Sequence, residues 1–125
     1  MKRILTSFQH AFEGLLTLWK EEPNARIHSL AVIIVILAGI FFEVNKWEWL
    51  MLTLMMGLVI TAELFNTAIE RIMDHVTPEK HPKVKVIKDL SAAAVLVLAL
   101  TALVVGGIIF FPKIMSVVNS LFLVG

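Results

Sequence analysis

The chain has 125 residues, 58% of them hydrophobic, and a mean hydropathy of +0.87, well above the ~45–50% apolar share of soluble domains. A soluble protein this small has too little interior to hide so many apolar side chains, so the composition excludes an ordinary water-soluble domain and points to an integral membrane protein. The absence of cysteine excludes disulfides and thiolate metal sites, and a net charge of +1 says less than where the charges lie.

Residues 1–20 carry Lys2, Arg3, Glu13 and Lys20 among Ile4, Leu5, Phe8, Ala11, Phe12, Leu15, Leu16 and Trp19. The apolar positions recur at spacings of three and four, which predicts an amphipathic helix lying at the membrane surface, or one that simply packs on the bundle. No long apolar core follows the basic start, so it does not read as a signal peptide. A polar turn follows, Glu21-Glu22-Pro23-Asn24-Ala25-Arg26-Ile27-His28, with Pro23 suited to the first turn of a new helix. The first predicted span covers 27–44. A short polar connection holds Trp47 and Trp49, which fit an interfacial aromatic belt.

The second predicted span covers 49–71 and contains the most informative stretch of the chain. Glu63, Asn66, Glu70 and Asp74 fall within an arc of roughly 80° at ~100° per residue. An ionisable group at membrane depth costs several kcal/mol or more, so by default it marks a functional site, shielded from lipid by other helices or water. A polar loop over 72–88 holds two prolines, His75, His81, Lys80, Lys83, Lys85 and Lys88. The third predicted span, 89–111, enters through Lys88-Asp89. Its residues 90–111 carry no charge, reach about 33 Å, and include small residues that let membrane helices approach closely. Pro112-Lys113 is read as its end, and 114–125 as a short apolar tail. Basic residues gather in the N-terminal segment and in 71–88, with only Lys46 and Lys113 on the other side. The positive-inside rule therefore puts the N-terminus and the 72–88 loop in the cytoplasm.

Carboxylates at a cytoplasmic membrane surface suit three tasks. They can hold Mg²⁺ together with substrate phosphates, remove a proton from an alcohol, or line a cation pathway. The neighbouring basic, histidine-bearing loop suits phosphate oxygens. The set points to phosphoryl transfer from a soluble nucleotide to a lipid, although no Walker A loop and no protein-kinase signature is present.

Glu63-Leu-Phe-Asn66-Thr67-Ala-Ile-Glu70, then Asp74, Glu79-x-His81 and Lys88-Asp89 followed by Ala92-Ala93-Ala94-Val95, resemble the small bacterial integral-membrane diacylglycerol kinases. The upstream Glu22-x-Asn24-x-Arg26-Ile27-His28 matches as well and is more similar to the undecaprenol kinase branch. The resemblance covers about residues 3–111. It implies one all-α membrane domain over 1–125, with three transmembrane helices, an N-terminal surface helix, and a homotrimer with active sites shared between subunits. It implies a multi-pass protein of the bacterial inner membrane, with MgATP as donor and a lipid alcohol as acceptor. No nucleic acid is expected as a partner. Carried over by residue, Glu63 matches the general base and Asn66 a polar group that positions the site. Glu22 and Glu70 match the carboxylates that hold Mg²⁺. Glu79, His81, Lys88 and Asp89 match nucleotide-contacting positions, as do Arg3 and His10 more loosely; the role of Asp74 stays open. Undecaprenol is the preferred acceptor and diacylglycerol the alternative. A non-catalytic membrane oligomer or cation channel is the reading from a different class; the uncharged third span argues against a through-pore.

Overall fold

A computed structural model describes residues 1–125 as four helices and no strand, in the order α1 (Lys2–Glu21), α2 (Pro23–Phe41), α3 (Lys46–Val76) and α4 (Pro82–Leu123). α2, α3 and α4 are each long and apolar enough to cross a membrane. Only 12 of the 125 residues are buried, while Phe8, Phe41, Leu103, Phe111 and many other large apolar side chains are exposed. A single chain with that surface cannot sit in water, so its outer face belongs to lipid or to further copies.

α1 and α2 are separated by one residue, the extended Glu22 (φ −110°, ψ 106°), and Pro23 occupies the first turn of α2, where its missing N–H costs nothing. Arg26 closes the end of α1: its Nε and Nη2 donate to the carbonyl oxygens of Trp19 (2.9 Å) and Lys20 (2.7 Å). A guanidinium there satisfies carbonyls that the helix leaves orphaned and meets the negative end of its dipole. Glu21, one residue ahead of the joint, pairs with Arg71 of α3.

α2 ends in a Schellman turn. Glu43 N–H donates to Ile40 O (3.2 Å) and Val44 N–H to Gly39 O (3.1 Å), with Glu43 left-handed at φ 50°. Two residues later α3 begins on a capping box. Asn45 Oδ1 accepts from Glu48 N–H at 2.9 Å and Glu48 Oε1 from Asn45 N–H at 3.1 Å. Val44, just ahead of the cap, is buried in a small cluster against which Trp49 packs, and the two hold the positions of a hydrophobic staple. Glu48 Oε2 also meets Lys113 Nζ of α4 at 2.8 Å, tying the start of α3 to α4. The small core, Val44, Leu52 and Ile109, lies at this end.

Three expectations change. The connection between α3 and α4 is residues 77–81 only, not 72–88, because α3 continues to Val76 and Pro82 starts α4 in place of breaking it. α4 runs through Pro112 and takes up the tail, so Lys113 is inside a helix. A proline removes one N–H from the ladder but leaves the rest able to carry on, as membrane helices often do. Trp47 is exposed with Lys46 Nζ 5.3 Å from its ring, whereas Trp49 faces inward and is not free for an aromatic belt. Its indole lies on Gly39, where any Cβ would overlap the ring.

Candidate active site

One face of α3 changes character along its length. Leu52, Met55 and Val59 are buried, and the same stripe continues into Glu63 and Thr67, also buried. Steps of three and four residues keep all five within about 120° of arc. The stripe thus supplies the packing with α4 at one end and holds polar groups in the same position at the other.

Glu63 is only 2% exposed. Its Oε1 lies 3.1 Å from Nε2 of the half-buried His28 of α2. A carboxylate so enclosed requires a polar partner, and His28 is its sole side-chain partner in the chain. Glu22, at the α1–α2 joint, and Glu70, two turns further along α3, are both half-buried and lie within electrostatic reach of Glu63. Asn66 Oδ1 accepts the hydroxyl of Ser91 of α4 at 2.6 Å, and the Ser91 oxygen is 3.1 Å from the carbonyl of Lys88.

Beyond these groups, the end of α3, residues 77–81 and the start of α4 form an open polar pocket of about 740 Å³. Glu79, His81, Lys88 and Asp89 are on its walls, with Asp74 and Lys85. Lys88 pairs with Asp74, and Lys85 Nζ with Asp89 Oδ2 at 2.6 Å. His81 caps α4, its Nδ1 accepting from Lys83 N–H at 3.1 Å. On the membrane side a second cavity, about 500 Å³, lies between α2, α3 and α4. His28 is on its wall, among apolar side chains and Gly106 and Gly107.

The chain therefore gathers Glu22, Glu63, Asn66 and Glu70 near one another, and Glu79, His81, Lys88 and Asp89 around the adjoining pocket. Arg3 and His10 are not brought to either group. Both are exposed on α1, and His10 meets only Glu13, at 3.4 Å. Two residues carry the site's internal contacts without an assignment from the sequence, Ser91 and His28. Their signal was a lone hydroxyl and a lone imidazole entering apolar runs, where each needs a partner. No three acidic or histidine side chains converge into a ready metal cage. Mg²⁺ does not need one, since it takes one or two carboxylates with phosphates and water. Glu22 and Glu70, both acting on Glu63, have the chemistry for that role.

Three helices long and apolar enough to cross a membrane, a buried carboxylate at their polar end and a pocket lined with charges of both signs beyond it fit an integral-membrane protein. The profile of the family described as prokaryotic diacylglycerol kinase matches residues 9–110. The undecaprenol kinase of Bacillus subtilis is 36% identical over 91% of this chain and 93% of its own length. The diacylglycerol kinase of Synechocystis is 33% identical over 90% of this chain and 65% of its own, and that of Escherichia coli is 28% identical over 82% and 84%. The chain belongs to the prokaryotic diacylglycerol kinase family and is a lipid kinase.

Proposed function

We propose that this protein transfers the γ-phosphoryl group of ATP, with Mg²⁺, to the hydroxyl of undecaprenol at the cytoplasmic face of the inner membrane. The observation that carries it is the enclosed Glu63, standing between a polar pocket with Lys88 and an apolar cavity among the spans. Glu63 takes the proton of the lipid alcohol as the alcohol oxygen bonds to the γ-phosphorus. The bond from that phosphorus to the bridging oxygen of ADP breaks, and the negative charge leaves on ADP. Phosphoryl transfer asks for positioning and charge neutralisation more than for covalent help. Lys88 offers a cation to the phosphates, Asn66 a fixed amide beside the reacting groups, and Glu79, His81 and Asp89 the rest of the nucleotide contacts. Mg²⁺, when bound by Glu22 and Glu70, neutralises phosphate charge. Arg3 and His10 complete the nucleotide site in a homotrimer whose sites are shared between subunits, with α1 on the membrane surface. Undecaprenol is favoured by Asn24-x-Arg26-Ile27-His28 and by the Bacillus relative; diacylglycerol is the second reading, favoured by the names of the Synechocystis and Escherichia relatives.

The test offers undecaprenol and diacylglycerol side by side in bicelles with labelled ATP, with Mg²⁺ or EDTA. Label should enter undecaprenol, vanish with EDTA, and fall by about 10²–10⁴-fold in Glu63→Gln, the usual contribution of a general base. Label in diacylglycerol alone would transfer the assignment to that lipid, and label in neither from folded protein would overturn both.

A further inference from the structure

We infer that His28 is a positioning residue for Glu63: its imidazole holds one carboxylate oxygen so that the other is presented to the lipid hydroxyl. The inference rests on the lipid-kinase reading of this site and adds a residue to it.

The geometry is specific. His28 lies in the second turn of α2, and its Nε2 reaches across to α3, 3.1 Å from Oε1 of Glu63. Glu63 makes no other side-chain hydrogen bond or ion pair within the chain, so its second oxygen has no partner there. A carboxyl group turns about its last bond through a broad, roughly two-fold well. One fixed contact removes that freedom. The imidazole also faces the second cavity. Among the thirteen residues on that cavity's wall, His28 is the one with a polar side chain. A lipid entering the apolar space with its hydroxyl foremost meets polarity first at His28, and Glu63 is the next group beyond. α2 contributes little else to the reacting groups, which gives its docking on α3 a direct chemical consequence.

A wall residue and a positioning residue differ in what they change. Removing a wall weakens lipid binding; removing an orienting partner slows the step that its neighbour performs and leaves binding alone. The experiment compares wild type, His28→Ala and His28→Gln in bicelles, with lipid and ATP varied separately and the thermal midpoint of each protein recorded. His28→Ala should lower kcat about 10–100-fold, the cost of losing a partner that orients a functional group, with KM for the lipid unchanged within about twofold. His28→Gln, whose amide N–H can replace the imidazole donor, should recover most of the rate, and added imidazole should partly rescue His28→Ala. In ¹⁵N-histidine-labelled protein the ring signals of His28 should move in Glu63→Gln. A raised lipid KM with unchanged kcat, a Gln variant no better than Ala, or ring signals indifferent to Glu63→Gln would each overturn the role. A wild type that labels neither lipid overturns the kinase reading and the role with it; an active wild type beside an indifferent His28→Ala overturns the role alone.

Discussion

Ser91 and Asn66 are joined by a 2.6 Å hydrogen bond between α4 and α3, with Ser91 buried. Replacing Ser91 by Ala leaves the Asn66 carbonyl without its donor in a place that water reaches poorly. The expected cost is about 1–3 kcal/mol of stability, read by denaturant titration in detergent, because an orphaned buried acceptor forfeits its full desolvation. The turnover should fall about 10-fold as Asn66 loses its aim. Ser91→Thr, which keeps the hydroxyl, should retain most of both. Glu63, Asn66, Glu70 and Asp74 were legible in the sequence because they share one face of one helix, which periodicity alone reveals. The pairings of Ser91 with Asn66 and of His28 with Glu63 were not, because a contact between helices depends on their relative height and rotation. Neither is written in the spacing within α2 or α4. Arg3 and His10 were legible only through resemblance, and one chain does not bring them to the other site residues.

At the level of elements, the turn after α2 puts Glu43 at φ 50° in the left-handed position of a Schellman motif. An L-residue there costs ~1–2 kcal/mol relative to glycine's freedom, part of which glycine returns through its looser unfolded chain. Glu43→Gly should therefore stabilise the protein by about 0.5–1 kcal/mol, measured as a higher thermal midpoint, with activity unchanged because the core at that end is far from Glu63. The composition and apolar runs foretold three membrane helices and a preceding helix, and these are present. Their ends were less legible. Pro82, placed inside the predicted 72–88 loop, instead starts α4, and Pro112, read as the end of the third span, is one the helix passes through. A proline's local effect is the same in each case; what differs is whether the residues behind it have a helix to join.

On the scale of the whole molecule, the exposed apolar surface and the distance of Arg3 and His10 from the remaining groups belong together. If neighbouring subunits complete each site, Arg3→Ala and Glu63→Gln are defects on different copies. Mixed at equal ratio and reassembled, two inactive preparations should regain about a quarter of the wild-type rate, since each restored site needs one suitable copy on either side. Sites confined to single chains would regain nothing, and the assay is the same labelled-phosphate transfer before and after mixing.

α3 has 31 residues and α2 has 19, a difference of 12 that amounts to about 18 Å at ~1.5 Å per residue. The two meet at the far end, through the turn at Glu43, so the whole excess emerges at the end that carries the site. Glu63 is level with the second turn of α2, while the pocket with Lys88 lies along the part of α3 that extends past α2. If Glu63 and this pocket act as proposed, the donor arrives from one phase and the acceptor from the other, each through its own door. Under that reading neither crowds the other out, and abundance of lipid in the membrane leaves the nucleotide's access untouched.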